Sequence, residues 1–257
     1  MLLTTALTLL FSMTSFASVI QTKAILKNPE STTIINKQIF VTNIGEKNWK
    51  KKDGDGFISK FNLDGKVEKL KFTTGLNDPK GIFPFKNSLI VTDISEVVVI
   101  NSISGKIIKK IPNGASFLND IFVTDQGLAL VTDTYDGKIY SVNLETEEVK
   151  SILTSMEEAP NGIYQKQGFL YIGSWANAIS SPSLGNLDGV EPYKENSWLI
   201  SDKTAGAIYI FDELSGKHQT IDHTFTDVAD IHYSKKHGIL VAPLMTSGEL
   251  VIYPLPQ

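Results

Sequence analysis

Ile90-Val91-Thr92-Asp93 is one of six short apolar strands in this chain that end alike. The others are Phe40-Val41-Thr42-Asn43, Leu130-Val131-Thr132-Asp133, Tyr171-Ile172-Gly173-Ser174, Leu199-Ile200-Ser201-Asp202 and Leu240-Val241-Ala242-Pro243. Their fourth residues, at 43, 93, 133, 174, 202 and 243, stand 50, 40, 41, 28 and 41 positions apart. A repeat near forty residues built from short strands is the mark of propeller blades, because one four-stranded sheet cannot bury its faces until neighbouring sheets cover them. Six copies predict an all-β fold, a six-bladed β-propeller.

A second series holds the same register. About ten residues before each strand lies a tripeptide: Pro29-Glu30-Ser31, Pro79-Lys80-Gly81, Leu118-Asn119-Asp120, Pro160-Asn161-Gly162, Leu187-Asp188-Gly189 and Val228-Ala229-Asp230. The middle residues step by 50, 39, 42, 27 and 41, following the first series to within one residue. Hairpins fill the intervals, with Asp64-Gly65, Ser104-Gly105 and Ser215-Gly216 supplying the positive φ that tight turns need. Blade four has no room for an outer hairpin between Trp175 and Asp188, so a two-stranded or rudimentary blade is expected there. Blade one carries an insertion, Gly45 to Gly56, expected as a loop on one face. The last blade ends with the chain, and Ala24-Ile25-Leu26 is the spare segment expected to close its open edge.

The 257 residues suit one large all-β domain. Met1 to Ala17 is a leucine-rich apolar run ending in Ser15-Phe16-Ala17, small at the −3 and −1 positions of a cut after Ala17, although no Lys or Arg precedes it. It reads as a signal peptide, so residues 18–257 are expected to form the propeller in the periplasm or outside the cell. No other apolar stretch is long enough for a membrane helix, and no membrane span is expected. A net charge of −4 gives no basic face for nucleic acid. Cysteine is absent, which excludes disulfides and thiolate metal sites, and arginine is absent too, which removes the usual bidentate clamp for carboxylates. Neither a phosphate-binding glycine loop nor a Gly-x-Ser-x-Gly nucleophile motif occurs.

The innermost strand of each blade lines a propeller's channel, so the tripeptide middles form a ring: Glu30, Lys80, Asn119, Asn161, Asp188 and Ala229. Two carboxylates and two amides are hard oxygen donors, of the kind calcium, magnesium or manganese takes. Lys80 supplies the competing reading, an ammonium that neutralises the carboxylates in place of a metal. Read alone, Asn161-Gly162 and Asp188-Gly189 are turn dipeptides. The four histidines all lie in the last two blades, and His232 reads as a solvated surface residue.

The Pro29-Glu30, Leu118-Asn119-Asp120-Ile121, Pro160-Asn161-Gly162-Ile163 and Leu187-Asp188-Gly189-Val190 segments resemble the inner-strand motifs of the senescence marker protein, gluconolactonase and luciferin-regenerating enzyme superfamily, and most resemble exported bacterial members. The resemblance implies a central divalent cation, calcium foremost, held by Glu30, Asn161 and Asp188. It also implies that Asp188 acts as general base and that Asn119 helps to hold substrate. Lys80 joins Asn119 as a substrate-binding residue. The function expected is metal-dependent hydrolysis of a lactone or related ester, and a non-catalytic binding propeller with a structural cation or ion pair is the alternative. The missing arginine directs the expectation toward small, less polar lactones. No protein partner is identified.

Overall fold

The computed structural model describes residues 18–47, 51–154, 156, 159–175 and 184–256. Met1 to Ala17, the segment read as a signal peptide, lies outside them. Among the described residues there are six antiparallel sheets and no helix. Blade one is Pro29–Ile35, Gln38–Asn43, Gly56–Asn62 and Val67–Leu76, and blade two is Pro79–Phe85, Ser88–Asp93, Glu96–Asn101 and Ile107–Pro112. Blade three is Leu118–Val123, Leu128–Asp133, Lys138–Asn143 and Val149–Thr154. The fourth blade has two described strands, Pro160–Lys166 and Phe169–Ser174, in keeping with its short repeat. Blade five is Leu187–Lys194, Ser197–Asp202, Ala207–Asp212 and His218–Asp222. Inner strands pack against one another in chain order, and the first blade meets the sixth, closing the ring.

Closure differs from the sequence expectation. Blade six takes its outermost strand from Ile20–Gln21, which pairs with Glu249–Pro254 through Ile20 opposite Ile252 and Gln21 opposite Val251. Ala24 to Leu26 follows as irregular chain, tied by the amides of Ile25 and Leu26 to the Gly248 carbonyl. Leu26 is the buried anchor there, and the pairing that seals the edge lies four residues earlier.

The core is divided among the blade interfaces. Phe40, Ile58, Leu89 and Val98 fill the wedge between blades one and two. Ile90, Val97, Leu118 and Val131 fill the next, and Leu199, Ile208, Leu240 and Val251 fill the one between blades five and six. Each fully buried side chain of this kind contributes about 1.5–3 kcal/mol, which explains why no blade can stand alone.

The repeated strand endings have defined structural tasks. Thr42 Oγ1 donates to the Lys80 carbonyl of the next blade at 2.8 Å, Thr92 Oγ1 to that of Asn119, and Thr132 Oγ1 to that of Asn161 at 2.8 Å. These threonines staple each blade to its successor. One residue on, Asp93 accepts from the amides of Asn77 and Asp78, and Asp133 from those of Ser116 and Phe117, fixing the segment that leads into the inner strand.

Gly162 is not a turn residue. It sits inside an inner strand where a Cβ would stand 2.1 Å from the Asp188 carbonyl, and a Cβ at Gly189 would meet Ile231 N at 2.5 Å. Glycine is required here for the approach of neighbouring backbones. Gly162→Ala is therefore expected to lower stability by about 1–3 kcal/mol or prevent folding, read as a denaturant midpoint. An unchanged midpoint would contradict the close approach.

Candidate functional site

Each of the first five inner strands breaks register just where the ring residue lies: between Pro29 and Thr32, Pro79 and Ile82, Leu118 and Ile121, Pro160 and Ile163, and Leu187 and Val190. Such irregularities re-aim side chains at the rims of β structures. Proline is tolerated at three of these positions because it is the first residue of its strand. All six ring residues are buried.

The structure brings five of the six into one polar neighbourhood. Glu30, Lys80 and Asn119 line a cavity of about 150 Å³, together with Phe117, Trp175 and Lys203 among others. Asn161 and Asp188 are bonded to each other, Asn161 Nδ2 donating to Asp188 Oδ1 at 2.9 Å and to the Leu187 carbonyl at 3.2 Å. Asn161 Oδ1 is buried and has no hydrogen-bond partner among the described residues. Asn119 Nδ2 donates to Thr134 Oγ1 at 3.0 Å. The Lys80 ammonium donates to the Asp78 carbonyl at 3.2 Å and lies 4.0 Å from the centre of the Phe117 ring. Ala229 closes the ring without a functional group.

Lys203 is the residue that sequence reasoning missed. Its ammonium lies 3.9 Å from Asp188 Oδ2, 3.6 Å from Asp227 Oδ1 and 3.5 Å from Met245 Sδ. It directly follows the fifth strand ending, in the position held by Ile44, Ile94, Thr134, Trp175 and Leu244 in the other blades. Ile44 and Trp175 line the same cavity, so the fifth position of the strand series was the available signal.

Burial, then the nearby Asp188 charge, pushes Glu30 up to about 8, against the pull of Lys203 and Lys80. Burial also raises Asp188, with Lys203 and the Asn161 hydrogen bond drawing it back. Burial opposes the charge on Lys203, but Asp188, Glu30 and Asp227 outweigh it and hold the ammonium above its ordinary value. Lys80 is held below its ordinary value by burial, with Glu30 and Asp78 in opposition.

A second tier lies one residue deeper. Asp120 accepts from the amides of Ile121 and Ile163, both at 2.7 Å, and Ser31 Oγ donates to Asp230 Oδ2. Burial raises both carboxyls, Asp120 to about 8. Between the ordinary aspartate value and about 8 the folded protein holds a proton at Asp120 that the unfolded chain lacks, so stability falls as pH rises through that window. Denaturant melts are expected to show that decline, and Asp120→Asn should flatten it.

His232 is not a solvated surface residue. Its Nδ1 lies 2.9 Å from Glu191 Oε1, and both side chains are largely buried.

No protein-family model matches the chain, and no curated protein matches it. Among solved structures it is similar to a catalytically inactive virginiamycin B lyase variant from Staphylococcus aureus, crystallised with quinupristin. The likeness has a TM-score of 0.61 at 10% identity and covers 93% of this chain and 99% of that one. It supports the propeller fold.

Proposed function

We propose that this protein is an exported hydrolase of a small lactone or related ester, dependent on a divalent cation, and related to the gluconolactonase-like superfamily its motifs resemble. The observation that carries the reading is Asn161 Oδ1. An amide oxygen buried without a partner costs about 1–3 kcal/mol, and this one belongs to a side chain bonded to Asp188, whose charge in turn acts on Glu30. The three residues fit a hard cation: Glu30, Asn161 and Asp188 would hold calcium, magnesium or manganese. The ion, when bound, would polarise the substrate carbonyl as a Lewis acid.

The chain's own groups do the rest. Asp188 would take a proton from the attacking water at Oδ2, the oxygen that Asn161 does not engage, and Lys203 would keep that carboxylate ionised. Lys80 and Asn119 would orient the ester on the cavity wall. A volume of about 150 Å³ bounded by Ile44, Phe117, Trp175 and Met245 suits a small, largely apolar ring better than a polyhydroxylated sugar lactone. The lyase of similar fold is compatible with an enzymatic role.

A second reading, a non-catalytic propeller with an internal ion pair, is favoured by the position of Lys203 between Asp188 and Asp227. Titration with calcium, magnesium and manganese separates the two. At about 100 times the dissociation constant a bound ion adds about 2.7 kcal/mol, or about 5–10 °C in Tm for a domain of this size, and the loaded protein is expected to hydrolyse small lactones faster than gluconolactone. No Tm shift with any ion, together with no turnover across a lactone and ester panel, would establish the ion-pair reading.

A further inference from the structure

The inner strands continue past the ring to the other mouth of the channel. Three residues beyond the ring they carry Phe83, Tyr164, Glu191 and His232, and these four side chains line a groove of about 470 Å³. The same four also border a narrow throat of about 20 Å³, whose remaining wall includes Thr32, Asp120 and Asp230. The throat is thus the floor of the groove. Its volume is that of a single water-sized group.

The groups around that floor are poised to bind an oxygen. Glu191 Oε1, as a carboxylate oxygen, can only accept, so the 2.9 Å contact fixes the proton on His232 Nδ1 and leaves Nε2 as an acceptor in the neutral ring. Thr32 is 2% exposed, and its buried hydroxyl has no hydrogen-bond partner among the described residues. A hydroxyl of that kind costs about 1–3 kcal/mol until something meets it. Above the floor the wall is aromatic, with Phe83 and Tyr164. At the rim stand Lys194 and Lys235 with Glu195 beside them, and Lys166 adds a third ammonium to the lining.

We propose that this second mouth binds a small hydroxyaryl carboxylate, with the ligand hydroxyl in the throat between Thr32 and His232, the ring against Phe83 and Tyr164, and the carboxylate toward Lys194 and Lys235. The site is separate from the lactone cavity and does not rest on that reading. Four features select this class: a one-oxygen pocket, an acceptor nitrogen, an aromatic wall and a cationic rim. A site built to hydrogen-bond a hydroxyl rejects the analogue that lacks it, because its own buried polar groups are then left unpaired.

Calorimetric titration of the full chain with 4-hydroxybenzoate, benzoate and glucuronate tests the proposal, with the imidazole resonances of His232 followed by NMR. Binding of 4-hydroxybenzoate is expected to be at least about 10-fold tighter than that of benzoate or glucuronate, and to shift the His232 ring signals. Thr32→Val preserves shape and removes the orphan hydroxyl, so it should leave Tm unchanged or higher while weakening 4-hydroxybenzoate about 10-fold. His232→Gln should weaken it as well, and Asp188→Asn, at the other mouth, should not. Equal binding of benzoate, tighter binding of glucuronate, binding indifferent to Thr32→Val, or no binding of 4-hydroxybenzoate at millimolar concentration would each overturn the assignment.

Discussion

Asp188→Ala is expected to reduce turnover of the best lactone substrate by at least about 100-fold, the usual contribution of a positioned general base, while far-UV circular dichroism stays that of an all-β protein. The argument rests on the two carboxylate oxygens having different partners. Oδ1 is held by Asn161 at 2.9 Å, which fixes the orientation of the group, and Oδ2 faces the Lys203 ammonium at 3.9 Å. Removing the carboxylate deletes the base and one of the two anionic donors in a single step, so the thermal response to added cation should disappear with the activity. Asp188→Asn keeps the shape and loses the charge, and should behave like the alanine variant in turnover. Asn119→Ala is different: its side chain lines the cavity and is bonded to Thr134 rather than to Asn161 or Asp188. Its expected signature is a raised KM with kcat largely retained. If Asp188→Ala keeps wild-type turnover on a lactone that the protein demonstrably hydrolyses, the base lies elsewhere, and the catalytic assignment at this mouth fails.

The fold was legible because the same few side chains perform the same task in blade after blade. Thr42, Thr92 and Thr132 each staple an inner strand of the next blade, and Asp93, Asp133 and Asp202 each receive amides from the segment ahead of their own inner strand. A repeated task leaves a repeated residue, and the register can be read from it. The ring was legible for the same reason, since the first five tripeptide middles occupy the same irregular position of their strands. Lys203 was not legible, because the position it shares with Ile44, Ile94, Thr134, Trp175 and Leu244 repeats in geometry but not in chemistry. The closing strand escaped because two residues suffice to pair with Glu249–Pro254, and Ile20–Gln21 carries less apolar pattern than Ala24-Ile25-Leu26. Asn161-Gly162 read alone is a turn dipeptide, since a glycine demanded by neighbouring backbone and a glycine demanded by positive φ are identical in sequence, and only the repeat register placed it on an inner strand. His232 was misjudged because its partner, Glu191, lies 41 residues away on the adjacent blade.

Lys80→Ala is expected to cost about 3–5 kcal/mol, the range for breaking a buried charged network, and to lower Tm by about 6–20 °C. The side chain is 1% exposed, and its ammonium lies 4.0 Å from the centre of the Phe117 ring, donates to the Asp78 carbonyl and interacts with the Glu30 carboxyl. Lys80→Met separates the two contributions, because it keeps the stem and removes the charge. Burial already holds Glu30 up at about 8, and Lys80 is one of the groups pulling it down, so in the methionine variant Glu30 should stay protonated to still higher pH. A raised carboxyl means that the folded state retains a proton the unfolded chain has lost, and stability then falls as pH rises toward the folded value. Lys80→Met should therefore recover most of the loss at about pH 6 and progressively less by about pH 9, as read from urea melts at the two values. Added calcium should offset the loss at the higher pH if Glu30 is a cation ligand, since the ion would replace the missing ammonium. A methionine variant as unstable as the alanine variant at the lower pH would show that Glu30 is ionised there and that the ammonium, rather than its stem, is what holds it. In that event the ring is held by a lysine ion pair, and the case for a metal at this mouth falls with it.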